Sequence, residues 1–295
     1  MRDIGRPLME TLTWSQVIIL GIVQGLTEFL PVSSSGHLVI LQQLMGIEGR
    51  GAFLLDFDLV LHVGTLVSVV AVLYREVWEI LESLFFVGRA LVKRRTIHWQ
   101  TLYDHSEGIK LAVMIFVGSI PVAFLGLLFR DTLEGLFTSL LGAGLMLLVT
   151  GGILWLSRYF TKVQRPFAEV SLLQSFIVGM AQAFALAPGI SRSGMTIVTA
   201  LGLRWNRELA AKFSFLLLIP AIFGGTLLEM RHFGDWSPSE RWIMLTGALT
   251  ASVTGFFAIK FLVYVVKKGR LPYFAYYCWS MGGLALIYSL IRSFF

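Results

Sequence analysis

Gln24-Gly25-Leu26-Thr27-Glu28-Phe29-Leu30-Pro31-Val32-Ser33-Ser34-Ser35-Gly36-His37 interrupts an apolar stretch that otherwise runs over residues 14–45. Pro31 removes a backbone donor, and Gly36 and the serines favour turns and caps, so the helix breaks here. Each flank is too short to cross a bilayer, which takes ~20 apolar residues. A second stretch, 172–203, is broken in the same way at Pro188-Gly189-Ile190-Ser191-Arg192-Ser193-Gly194. Backbone that leaves the helix at membrane depth is tolerated only where protein buries it or a wet cavity borders it. Both stretches are therefore read as re-entrant helix–loop–helix hairpins, against the alternative of kinked spanning helices.

Composition agrees with a membrane setting. The chain has 295 residues, 56% hydrophobic and 14% charged, where soluble domains run near ~25% charged. This argues against a soluble enzyme with one packed core and excludes a disordered chain. The single cysteine, Cys278, excludes an internal disulfide framework and a cysteine-cluster metal site. The net charge of +6 sits in short basic blocks between apolar segments, which argues against a nucleic-acid partner. No signal-peptide pattern precedes the first apolar stretch, which is expected to stay in the mature protein.

Six further stretches read as spans: 57–74, 109–129, 136–156, 213–228, 243–266 and 271–291. With both hairpins returning to their own side, the loops fall on two faces. One carries fifteen basic residues: Arg75, Arg89, Lys93, Arg94, Arg95, Lys110, Arg158, Lys162, Arg165, Arg204, Arg207, Lys212, Lys267, Lys268 and Arg270. The other carries seven: Arg2, Arg6, Arg50, Arg130, Arg231, Arg241 and Arg292. The positive-inside bias puts the first face in the cytoplasm, with both termini and the mouth of the first hairpin outside. Residues 77–95 are amphipathic and basic at their end, and read as lying on the inner surface. Lys260 reads as snorkelling, and Trp155, Trp205, Trp242 and Trp279 as interfacial anchors.

The hairpins resemble each other. A shift of 158 aligns Gly21 with Gly179, Gln24 with Gln182, Ser33 with Ser191, Ser35 with Ser193 and Gly36 with Gly194. Weaker echoes follow at Gly64-Thr65-Leu66 and Gly225-Thr226-Leu227. Each half is one hairpin plus three spans, an odd number that inverts the second copy. The expected fold is thus a single all-α integral membrane domain over 1–295, with six transmembrane helices and two re-entrant hairpins. Its repeats cover about 14–157 and 171–292.

Ionisable groups in membrane segments are costly, so those present point to function. Gln24 and Glu28, four residues apart, share a helix face. Ser33, Ser34, Ser35 and His37 follow the break, and Ser191, Arg192, Ser193 and Thr196 stand at the second. If the tips meet, these groups form one buried site. Helix starts at both breaks would present N–H groups and positive dipole ends, an anion site. Arg192 adds a planar fork suited to phosphate. Glu28 and Gln24 offer hard oxygens to Mg²⁺ or Ca²⁺. His37 can move protons near neutral pH, and Ser34, three residues before it on the same helix face, is a candidate nucleophile that His37 is expected to serve as base. Together these suit phosphoryl transfer to serine, histidine or water. Plainer roles compete. Serines can cap or glue helices, Glu28 and Arg192 can form a structural pair, and His37 can be a satisfied core histidine. Asp58 and His62, at the start of the next segment, are read as structural or peripheral.

With these residues in view, the chain resembles the bacitracin-resistance family of undecaprenyl-diphosphate phosphatases. The resemblance rests on Gln24-x-x-x-Glu28 leading into Phe29-Leu30-Pro31-Val32-Ser33-Ser34-Ser35-Gly36-His37, and on Pro188 to Thr196. Phe213-Ser214-Phe215-Leu216 before Pro220 is also similar. It implies hydrolysis of undecaprenyl diphosphate to the monophosphate with a divalent cation, recycling the carrier lipid for the cell wall and conferring bacitracin resistance. The family's acidic pair falls on Gln24 and Glu28, so one member is an amide here. Its serine, histidine and arginine roles fall on Ser34, His37 and Arg192. Ser33, Ser35, Ser191, Ser193 and Thr196 are expected to bind substrate. The partners implied are a polyprenyl diphosphate and membrane lipids in a bacterial inner membrane, with a homodimer as a further option. A transporter or flippase of an anionic lipid is the alternative that an inverted repeat invites.

Overall fold

The computed structural model describes residues 12–47, 52–93, 102–103, 106–129, 140–160, 165–229 and 236–294. These residues form helices and turns, with one isolated bridge between Arg165 and Trp205. The first broken stretch gives α1 (Trp14–Phe29) and α2 (Ser34–Leu44). Then come α3 (Ala52–Val72), α4 (Tyr74–Val92), α5 (Glu107–Leu128) and α6 (Leu140–Leu156). The second broken stretch gives α7 (Leu172–Phe184) and α8 (Arg192–Gly202). The chain closes with α9 (Arg207–Leu216), α10 (Leu218–Glu229), α11 (Pro238–Lys267) and α12 (Tyr273–Phe294).

Side-chain caps place several helix starts. Thr13 and Ser171 each form a capping box, with Gln16 and Gln174 respectively. Ser33 and Ser191 cap α2 and α8, accepting from the N–H of Gly36 (3.4 Å) and Gly194 (3.1 Å). Pro220 is the third residue of α10 and cannot donate back to Leu216, which accounts for the turn at Leu217 between α9 and α10.

Among the described residues, six segments are long and apolar enough to cross a membrane: Phe53–Val72, Glu107–Leu128, Leu141–Tyr159, Arg207–Leu227, Pro238–Lys267 and Tyr273–Ile291. They coincide with the six expected spans to within a few residues at most ends. The fourth and fifth start five to six residues earlier than apolar content suggested, as Asn206 and Ser237 cap them. The expected third-span start at Leu136 lies outside the described residues, as do Arg2, Arg6, Arg50, Arg94, Arg95, Arg130, Lys162 and Arg231 of the charge tally. Outward faces carry large apolar groups, such as Phe116 at 70% and Phe124 at 64% exposure, as a lipid-facing surface requires. α4 exposes Trp78, Leu81 and Phe85 along one side. Lys260 is exposed against the Phe256 ring. Trp205 departs from expectation. It is 1% exposed, packs edge-on against Phe213 and donates to Gln174, so it belongs to the core rather than to an interface.

The packing partners are distant in sequence. α1 lies along α11, and α7 lies along α5. Small residues allow both approaches. A Cβ on Gly25 would stand 2.5 Å from the Ala251 carbonyl oxygen and 2.9 Å from the Gly255 nitrogen, and one on Gly179 would strike the backbone of Gly118. Gly25→Ala should therefore destabilise the fold by about 1–3 kcal/mol through forced separation of α1 and α11. Gly88, with nothing within 4 Å of its virtual Cβ, is the control, and Gly88→Ala should be neutral or stabilising. The buried Cys278 is a built-in reporter, since a thiol-reactive dye will read the unfolding midpoint of both variants in detergent.

Candidate active site

The site forms where the breaks after α1 and α7 meet. Gly36 approaches Gly189, with a virtual Cβ 3.4 Å from the Gly189 Cα. Ser193 Oγ donates to the Leu30 carbonyl at 3.4 Å. Thr150 of α6 steadies the second break from outside it. Its hydroxyl donates to the Gly189 carbonyl (2.9 Å) and accepts from the Ser191 N–H (3.0 Å).

Glu28, in the last turn of α1 and only 7% exposed, is the hub. Its Oε2 accepts from Ser34 Oγ at 2.5 Å and from Gln24 Nε2 at 3.1 Å. Its Oε1 accepts from Arg192 Nη2 at 2.9 Å, across 164 residues of sequence. Ser34 and Arg192 are each the first residue of a short helix, so both hang from capped turns. A bond of 2.5 Å from hydroxyl to carboxylate belongs to the short, charge-assisted class.

His37 does not join this cluster directly. Its Nδ1 lies 2.8 Å from the Ser33 carbonyl, which can only accept, so Nδ1 carries the proton. Nε2 then accepts from the Tyr277 hydroxyl of α12 at 2.8 Å, and the two rings stack with an 8° interplanar angle. The sequence spacing suggested that His37 serves as the base of Ser34. The geometry corrects that pairing: both imidazole nitrogens are engaged elsewhere, and Ser34 bonds to Glu28.

The remaining hydroxyls are also engaged, within their own turns and, for Ser193 and Thr196, beyond them. Ser33 and Ser35 bond each other (3.3 Å), as do Ser191 and Ser193 (3.2 Å). Thr196 bonds the Arg192 carbonyl (2.9 Å) and Ser214 (2.6 Å). Ser33 takes φ = +66°, a left-handed conformation that is strained for a serine. With caps taking the third N–H of each helix, those of the first two residues lack an intrahelical acceptor.

Several buried atoms have no partner among the described residues: Gln24 Oε1, Arg192 Nη1 and both amide atoms of Gln182. Buried polar groups are nearly always paired. The orphaned Arg192 donor suits a phosphate oxygen, and the orphaned Gln24 oxygen suits a cation. Among the described residues no three His, Cys, Asp or Glu side chains come together. The residues thus fit a Mg²⁺-type ion that takes most ligands from substrate and water rather than an all-protein cage. His62 of α3, set aside as peripheral, reaches the hub, its Nε2 3.6 Å from Glu28 Oε2. Tyr277 was also missed. His62 carried a signal, as an ionisable group inside an apolar span, whereas Tyr277 gave none.

Fold and site together define a multi-pass α-helical membrane protein with a buried acid joined to a partly buried hydroxyl and guanidinium at a helix junction. The chain belongs to the family described as Bacitracin resistance protein BacA, which matches residues 17–284. Curated relatives named undecaprenyl-diphosphatase resemble it over nearly full length. The one from Desulfosudis oleivorans is 44% identical over 271 residues, 92% of this chain and 97% of the relative. That from Desulfatibacillum aliphaticivorans is 40% identical, covering 94% and 99%. That from Alkaliphilus metalliredigens is 40% identical, covering 95% and 100%.

Proposed function

We propose that the chain is an integral membrane phosphatase that hydrolyses undecaprenyl diphosphate to undecaprenyl phosphate and inorganic phosphate. The 2.5 Å bond from Ser34 to Glu28 carries this reading, because a transporter needs an anion site but no activated hydroxyl. Glu28 Oε2 takes the Ser34 proton as Oγ attacks the terminal phosphorus. The bond from that phosphorus to the bridging oxygen breaks, and the lipid monophosphate leaves with the proton from Glu28. A phosphoserine remains. Water then gives a proton to Glu28 and attacks the phosphoserine, and Ser34 regains its proton as phosphate departs. Arg192 and the first N–H groups of α2 and α8 hold the transferring oxygens. Ser33, Ser35, Ser191, Ser193 and Thr196 shape these turns for the substrate, and His37 positions the turn that bears Ser34. A divalent cation on Glu28 and Gln24, when bound, neutralises phosphate charge.

Purified protein in detergent should release phosphate from undecaprenyl or farnesyl diphosphate when Mg²⁺ or Ca²⁺ is present. Labelled substrate should trap an acid-stable phosphoserine. Absence of release with any divalent cation would overturn the reading.

The finer architecture belongs to the same proposal: one domain made of two inverted repeats, 14–157 and 171–292, each with a re-entrant hairpin and three spans. Adding 158 to the bounds of α2 gives those of α8. The same shift carries the Thr13–Gln16 capping box onto Ser171–Gln174. In this arrangement the protein sits in the bacterial inner membrane with both termini and the site mouth outside, consistent with the basic-loop bias. A C-terminal fusion to a reporter that works only outside the cytoplasm should be active. Activity from a cytoplasm-only reporter instead would invert the orientation.

A further inference from the structure

We propose that His62 is a ligand of the divalent cation, forming with Glu28 and Gln24 a mixed nitrogen–oxygen site that favours Mn²⁺ over Ca²⁺. This rests on the cation-assisted phosphatase reading and extends it to a residue outside both helix breaks.

His62 stands one turn after Asp58 on α3, and its Nδ1 lies 2.7 Å from the Asp58 carbonyl. That oxygen can only accept, so Nδ1 carries a proton, and Nε2 is the nitrogen left to meet a cation. Metal-bound histidines are oriented in this way, with the far N–H held by a carbonyl or carboxylate. The Asp58 carboxylate is engaged by Gln42 Nε2 at 3.0 and 3.2 Å, which steadies this part of α3.

Nε2 faces Glu28 Oε2 at 3.6 Å. That gap is too long for a hydrogen bond. It is close to the spacing of two donors on one ion, since bonds of ~2.1 Å set them about 3.0–3.5 Å apart between right-angle and tetrahedral geometry. An imidazole nitrogen and a carboxylate oxygen that face each other this way need positive charge between them, which a bound cation supplies with Nε2 as ligand and a proton on Nε2 supplies without one. Gln24 bonds the same carboxylate, is fully buried, and its Oε1 has no partner. An imidazole and an amide thus meet at one carboxylate oxygen, the amide with a spare oxygen, and the His62 side chain is 30% exposed, so an ion can reach it. Imidazole suits transition metals, whereas Ca²⁺ prefers an all-oxygen shell.

The test is Mn²⁺ alone added to purified full-length protein, followed by electron paramagnetic resonance titration and pulsed measurement of nitrogen coupling. Wild type should bind one Mn²⁺ with an imidazole nitrogen signature. His62→Gln, close in size, should lose that signature and weaken Mn²⁺ binding about tenfold or more, with a smaller effect on Ca²⁺. Wild-type Mn²⁺ without nitrogen coupling, or no Mn²⁺ binding at all, would overturn the proposal whatever the variant does. The competing arrangement, an imidazolium paired with Glu28, predicts that outcome. Phosphate release measured alongside separates the two readings. Turnover with Mg²⁺ but no nitrogen coupling sinks the His62 ligand and leaves the phosphatase standing. A nitrogen-coupled ion without turnover does the reverse.

Discussion

Glu28→Gln and Ser34→Ala will each reduce phosphate release by about 10²–10⁴-fold, and the double variant will fall little further. The two side chains make one bond of 2.5 Å, and a hydroxyl is a poor nucleophile until a base takes its proton. Removing either end abolishes the same event, so the losses cannot multiply. The residual rate would come from Arg192 and the helix ends. Glutamine keeps the size of Glu28, and its amide oxygen can still accept from Arg192, so folding should survive. The check is a full cycle of kcat/KM values on farnesyl diphosphate. Losses that multiply would assign independent roles to the two residues. Near-normal turnover by Ser34→Ala would make water the nucleophile, with Glu28 as its base.

Arg192→Lys will cost about 10²–10³-fold, mostly in kcat. Arg192 uses Nη2 to hold Glu28 at 2.9 Å, while Nη1 is buried without a partner. One planar group thus ties the acid and offers a second donor at a fixed angle. Lysine keeps the charge but presents one rotating centre, which cannot hold both contacts in that geometry. Comparing kcat and KM for Arg192→Lys and Arg192→Ala tests this. If lysine restores most of the rate lost in alanine, point charge suffices and the fork is irrelevant.

Much of this was readable from the chain because membranes penalise polar groups. Long apolar runs marked the spans, and Glu28 and Arg192 stood out against them. Span starts were less legible where charge is neutralised by packing. Arg207–Leu227 opens on charged residues, but Lys212 bonds both Glu76 (2.7 Å) and Glu208 (3.1 Å), and Lys267 bonds Glu208 (2.6 Å). Hydropathy cannot register such partners. Spacing also misled at His37. Three residues separate it from Ser34 on one helix, yet its ring turns back to the Ser33 carbonyl and out to Tyr277. Tyr277 is 240 positions away, and local pattern carries no trace of such a contact. Trp205 was misplaced for a related reason, since an aromatic near a basic loop reads as an interface anchor whether or not the core claims it.

The conformation of Ser33 bears on timing. A serine at φ = +66° is held against its torsional preference, at a cost of order 1–3 kcal/mol. The restraint comes from the surrounding junction and not from the turn alone, because Ser191, the cap of α8, sits at an ordinary φ of −77°. The peptide that follows Ser33 sets the direction in which Ser34 points. Its orientational freedom is therefore surrendered when the chain folds, not when lipid arrives. A diphosphate that enters meets an oxygen already aimed, and the search for attack geometry falls on the substrate alone.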